Sequence, residues 1–160
     1  MNSLEKKIYR LDQLIAEREI WKKQGLRCVF TNGCFDILHE GHVRYLEEAR
    51  RLGDVLIVAL NDDQSVRRLK GPTRPINGES SRSIVVAALE SVTAVTLFGT
   101  DTPEGLIKAL TPDILVKGGD WEVHSIVGAD WVLSHGGNVY SLPYYKGFST
   151  SLIEQKMKSS

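Results

Sequence analysis

Val55 to Leu60 reads VLIVAL, six apolar residues without a polar interruption. A strand with one wet face alternates apolar and polar residues. An unbroken run of this length belongs to a strand covered on both faces, as in the middle of a parallel sheet. The rest of the chain agrees. Short apolar runs at Arg27–Thr31, Ala94–Phe98, Ile114–Val116 and Val139–Leu142 alternate with stretches of helical periodicity or helix-start signals. These helical stretches are Gly41–Arg51, Asp62–Leu69, Ser81–Leu89, a helix opened by Thr102-Pro103-Glu104, Gly128–His135 and Ser149–Lys158. The alternation predicts right-handed βαβ units and an α/β fold: a Rossmann-like doubly wound parallel sheet of about five strands with helices on both faces. Leu4, Ile8, Leu11, Leu14, Ile15 and Trp21 recur at spacings near three and four, predicting an amphipathic helix or pair of helices over Ser3–Lys23. The 160 residues show no repeat or linker and read as a single domain, with 1–25 a helical N-terminal segment and 26–156 the core.

Ligands of such sheets sit at the carboxyl ends of the strands, near the point where strand order reverses. Four loops of unusual chemistry follow predicted strands: Asn32–His42, Asn61–Lys70, Lys117–Asp120 and Pro143–Ser151. Lysine plus arginine equals aspartate plus glutamate at 20 each, so the chain lacks the basic excess that non-specific nucleic-acid binding requires. An anionic ligand has to be held by local geometry. Neither a signal peptide nor a membrane-length apolar run is present, and the two cysteines form no CxxC motif, which together predict a cytoplasmic protein without a membrane partner. No Cys28–Cys34 disulfide is expected, because Cys28 falls in a strand and a bridge would distort the turn after it.

The first loop reads TNGCFDILHEGH, Thr31 to His42. A zinc site needs three or four ligands, and His39 and His42 are the only close histidine pair. A histidine can cap a helix, which accounts for one ring and not obviously for two. A phosphate cradle accounts for more of the residues. Gly33 permits a tight turn, Gly41 permits close approach at a helix start, free amides there attract anions, and imidazoles three residues apart share a face. Gly147-Phe148-Ser149-Thr150-Ser151 places three hydroxyls at another helix start; capping needs one, so capping and phosphate binding both remain open there. Lys70, Arg74 and Arg82 surround a proline loop, and Lys117 ends a strand in a glycine turn. GxxxxGK[ST] and GxGxxG are absent, which removes the main support for a P-loop kinase or a Rossmann dehydrogenase.

GCFDILHEGH resembles the G-x-F-D-x-x-H-x-G-H signature of the nucleotidyltransferase superfamily that includes the cytidylyltransferases and pantetheine-phosphate adenylyltransferase. GFSTSLI resembles that superfamily's second, hydroxyl-rich signature. TNGCFD, RLKGPTRPIN and LVKGGDW are most similar to the adenylyltransferases of ADP-heptose synthesis, in the stand-alone form of a domain that is often fused to a kinase. The resemblance covers about Leu26 to Lys156. It implies transfer of AMP from ATP to D-glycero-manno-heptose 1-phosphate, with release of pyrophosphate and no covalent enzyme intermediate. It implies catalytic roles for His39, His42 and Lys70. It implies nucleotide binding by Thr31, Asn32, Gly33, Cys34, Phe35, Gly41, Arg82, Gly147, Phe148, Ser149, Thr150 and Ser151. Asp36, Asn61, Asp62, Lys117, Gly119 and Asp120 are left to face the sugar phosphate. Magnesium would arrive on the substrate phosphates with no protein metal site, and relatives imply a homo-oligomer. Tyr144 stands where glycerol-phosphate cytidylyltransferases carry an arginine, which counts against that substrate. Lys146 stands where the heptose enzymes often have an acid. GTP in place of ATP, another small phosphorylated alcohol such as glycerol 3-phosphate, and a nucleotide-binding module without turnover are the alternative readings.

Overall fold

A computed structural model describes residues 2–160. Five strands, β1 (Cys28–Gly33), β2 (Val55–Asn61), β3 (Ala94–Phe98), β4 (Ile114–Gly118) and β5 (Asn138–Leu142), form one all-parallel sheet in the order β3-β2-β1-β4-β5. This is the doubly wound arrangement expected from the alternating runs. The order reverses between β1 and β4, so the switch point lies beside the strand that carries the histidine motif.

Side chains alternate across the sheet, and each face has its own core. Cys28, Phe30, Ile57, Ala59, Leu115 and Val139 point to one face. There they meet Leu14 and Trp21 of α1 (Leu11–Lys23), Leu106 and Ile107 of α5 (Glu104–Leu110), and Ala129 and Val132 of α6 (Ala129–Ser134). Val29, Leu56, Val58, Leu60, Ile114 and Val116 point to the other. They meet Leu46 and Ala49 of α2 (Glu40–Arg51) and Val86 and Ala87 of α4 (Glu79–Ala87). Every residue of VLIVAL is buried, because helices cover β2 on both sides. Two further helices, α3 (Asp63–Lys70) and α7 (Thr150–Lys158), complete the chain.

The structure departs from the sequence expectations in two places. The apolar pattern of Ser3–Lys23 is not helical throughout. A 3₁₀ turn at Glu5–Lys7 is followed by an extended arm in which Ile8 bridges Val95 on the outer edge of β3, and Tyr9 N–H donates to the Val95 carbonyl over 2.8 Å. Pairing with the sheet wins over helical spacing because it satisfies edge groups that would otherwise be bare. At α5, Pro103 itself is the N-cap rather than a first-turn residue, and no side chain caps the helix.

Candidate active site

The carboxyl ends of the strands open into a cavity of about 670 Å³, within the range of small-molecule sites. Its floor is the loop between β1 and α2. His39 is the N-cap of α2 in extended conformation (φ −140°, ψ 173°), which turns its ring back over the first turn of the helix. The His39 and His42 rings stack with centroids 3.8 Å apart and planes 22° from parallel. The backbone N–H of His39 donates to His42 Nδ1 over 3.4 Å, so in the neutral ring the proton sits on Nε2. Burial, then the neighbouring His39 and Lys70, lower the His42 pKa to about 4, and burial lowers that of His39. At neutral pH His42 is therefore an uncharged hydrogen-bond donor.

Two glycines are required by close approach. A Cβ on Gly33 would lie 2.8 Å from the ring of Phe35, which itself adopts φ +46°, a strained left-handed conformation for a non-glycine residue. The Phe35 ring then leans on His42 at 5.0 Å between centroids. A Cβ on Gly41 would lie 2.8 Å from Cβ of Phe148 and 3.0 Å from the His39 ring. Gly41 thus lets the segment leading into α7 sit directly on the start of α2. The N-termini of both helices line one cavity, and their free amides make its floor attractive to anions.

Fourteen of the residues singled out in the sequence meet at this cavity: Asn32, Gly33, Cys34, Phe35, Asp36, His39, Gly41, His42, Asn61, Lys70, Lys117, Phe148, Ser149 and Thr150. The others do not line it. Thr31 is fully buried and its hydroxyl is engaged by Tyr45 OH at 2.6 Å. Arg82, 1% exposed, donates to the carbonyls of Asn77, Cys34 and Asn61 and to Asp63 Oδ1, all within 2.9 Å, and so is a strut beneath the loops. Asp62 caps α3 by accepting from Ser65 N–H. Gly119 is buried behind Trp121 and Tyr144, Asp120 and Ser151 are exposed, and Gly147 makes a left-handed turn before α7.

Some lining residues have structural partners as well. Asp36 accepts from the Ile76 and Asn77 amides and from Arg74 Nε. Burial alone would raise its pKa, but these donors outweigh it and hold it low. Arg74 reaches on to Glu154 of α7, clamping that helix to the proline loop. Ser149 Oγ accepts from Leu152 N–H at 3.1 Å, a capping bond. Both cysteines are free thiols; burial pushes Cys28 up to about 12 and also raises Cys34. Tyr45, Asp101, Ile126 and Val127 also line the cavity and were not anticipated, as do Thr102 and Pro103, read from sequence only as a helix start, and Tyr144, read only as standing in place of an arginine. A weak signal existed for Tyr45, three residues after His42 on the same helix face, and for Thr102-Pro103, which follow a strand at the same sheet edge.

Residues 30–155 match the model of the cytidylyltransferase-like family. The chain is 53% identical over 143 residues to the "Bifunctional protein HldE" of Hyphomonas neptunium, covering 89% of this chain and 29% of that one. It is 52% identical over 155 residues to the protein of the same name from Ectopseudomonas mendocina, covering 97% and 33%. It spans about a third of the length of these curated relatives. The crystal structure of a lipopolysaccharide core biosynthesis protein from Thermoplasma volcanium superposes with a TM-score of 0.61 at 31% identity, covering 78% of this chain and all of that one. The family match over most of the chain, on a five-stranded parallel sheet with a histidine pair at its switch point, makes this a nucleotidyltransferase. The chain belongs to the cytidylyltransferase-like family. Among the described residues no helix is long and apolar enough to cross a membrane.

Proposed function

We propose that this nucleotidyltransferase moves AMP from ATP to D-glycero-manno-heptose 1-phosphate, forming ADP-heptose and pyrophosphate. The observation that carries the chemistry is the stacked His39–His42 pair on a floor made by two helix N-termini, with Lys70 beside it. The choice of sugar rests on the similarity to the HldE proteins. A phosphate oxygen of the sugar attacks the α-phosphorus in line, and the bond to the bridging oxygen of pyrophosphate breaks. Catalysis is positioning plus stabilisation of charge on the phosphoryl oxygens. His42 Nε2–H, His39 and Lys70 supply that stabilisation, and no side chain bonds covalently to substrate.

The walls of the cavity divide the two substrates. Leu115, Ile126, Val127 and Tyr144 make an apolar side suited to a flat base, while Asn61, Lys70 and Thr102 make a polar side suited to a sugar phosphate. On this reading Lys117 faces the nucleotide rather than the sugar phosphate, and Gly119 and Asp120 touch neither. Among the described residues no group of three or more His, Cys, Asp or Glu could hold a metal. Magnesium fits this donor set only as a companion of the triphosphate, neutralising its charge. The test is pyrophosphate release with magnesium, crossing ATP, GTP and CTP against heptose 1-phosphates and glycerol 3-phosphate. Release confined to ATP with a heptose 1-phosphate supports the proposal. Release with another pair replaces the substrate, and binding without release makes the protein a non-catalytic module.

A further inference from the structure

β1 and β4 flank the switch point, yet they are paired only at Val29↔Ile114 and Phe30↔Leu115. β1 continues alongside β2 as far as Gly33↔Leu60, and β4 continues alongside β5 as far as Gly118↔Leu142. The crevice between them therefore opens at the next rung, where Thr31 would face Val116. That rung is held by a side chain. The Tyr45 hydroxyl lies 2.6 Å from Thr31 Oγ1 and 3.5 Å from the Val116 carbonyl oxygen. The ring fills the space beside Gly118, where a Cβ would sit 3.4 Å from it. Thr31 is fully buried, so its hydroxyl has no aqueous alternative to this bond.

Tyr45 belongs to α2, three residues after His42, and so lies on the same helix face one turn further along. A bond from this position to β1 fixes how α2 is rotated about its own axis. That rotation decides where the imidazoles point. We propose that Tyr45 is a positioning residue of nucleotidyl transfer, its hydroxyl taking the first missing rung between β1 and β4 and thereby setting both the width of the crevice and the aim of His39 and His42. The proposal rests on the reading of this cavity as the transfer site. Burial raises the Tyr45 pKa, which keeps the phenol neutral through the working pH range.

Tyr45→Phe retains the ring and deletes the hydroxyl, and Thr31→Val deletes the other partner at nearly constant shape. An error of about 1 Å in placing catalytic groups costs on the order of 10²-fold. Each variant should lower kcat by about 10- to 100-fold with little change in the nucleotide KM. The double variant should be no worse than the poorer single, and Thr31→Ser, which keeps the hydroxyl, should recover most of the loss. Imidazole resonances in a carbon–proton NMR spectrum give a readout free of substrate. Those of His39 and His42 should move in Tyr45→Phe while those of His124 and His135 stay in place. Unmoved resonances with an unchanged kcat would overturn the proposal, as would a loss confined to KM or a Thr31→Ser variant as poor as Thr31→Val. If the parent protein transfers nothing to heptose 1-phosphate, the substrate assignment fails, and the imidazole resonances still decide the role of Tyr45.

Discussion

His39 and His42 should behave as one catalytic unit, and a double-mutant cycle measures this directly. The rings stack at 3.8 Å, and the backbone of His39 holds Nδ1 of His42. Losing one preorganised donor to a developing phosphoryl charge costs about 10²- to 10³-fold in kcat, or about 3–4 kcal/mol. Two independent donors would multiply to about 10⁴- to 10⁶-fold in the double variant. Here His39→Ala removes the surface on which His42 rests, so most of the second loss has already occurred in the first. His39→Ala and His42→Ala should each cost about 10²- to 10³-fold, and the double variant less than about tenfold more than the poorer single. That amounts to a coupling energy of at least about 1.4–2.7 kcal/mol, toward the upper end for residues in contact. The assay is single-turnover pyrophosphate release at saturating substrates, with circular dichroism to verify folding. Strictly multiplicative losses in folded variants would refute the idea that stacking aims the pair.

Three further outcomes follow from the geometry. Gly41→Ala should leave the melting temperature within a few degrees, since alanine favours a helix by about 1 kcal/mol over glycine. It should nevertheless weaken nucleotide binding measured by calorimetry, because its Cβ collides with Phe148 at 2.8 Å. Asp36→Asn should destabilise the fold by about 3–5 kcal/mol in urea melts, as breaking a buried ion pair does, since the side chain is fully buried against Arg74 and two amides. Because the folded protein holds His42 near pKa 4 against the ordinary 6.5, only the unfolded chain takes up that proton as the pH falls below 6.5. Stability contributed by the neutral ring should decline from pH 6.5 to about 4, reaching a loss of about 2 kcal/mol by pH 5, and His42→Gln should flatten that slope in melts across the range.

The strand run VLIVAL, the helix periods and the position of TNGCFDILHEGH after a central strand were readable because each is a local pattern with a single physical meaning. The histidine pair was readable for the same reason, since two rings three residues apart at a helix start can only share a face. Arg82 shows where such reading ends. Three of its four acceptors are backbone carbonyls, of Asn77, Cys34 and Asn61. A carbonyl is common to every residue, so nothing in the letters marks these three as the ones that would hold a buried guanidinium. Asp36 follows the same rule, engaged from behind by the backbone amides of Ile76 and Asn77, whereas Thr31, in β1, is engaged by a side chain, the Tyr45 hydroxyl. Asp101, Ile126 and Val127 became visible only when separate strands delivered their loops to one edge. The arm at Ile8 was misread because a single bridge to β3 has no periodicity to betray it.

Long-range closure has a consequence for how the molecule comes into being. The central strand β1 is made early, but the contacts that finish its switch-point side are 85 residues away, as between Cys28 and Asp113, and the clamp on α7 joins residues 80 apart. Distant pairings of this kind form slowly, because the intervening chain must be ordered before they contribute anything. The half-sheet of β1, β2 and β3 can assemble while the β4–β5 side of the cavity and the α7 cap are still absent. Enzyme activity therefore reports on the last stage of folding. A refolding chain should regain its secondary structure well before it regains turnover, and a chain shortened before Phe148 should keep much of its sheet while losing the second helix N-terminus that lines the cavity.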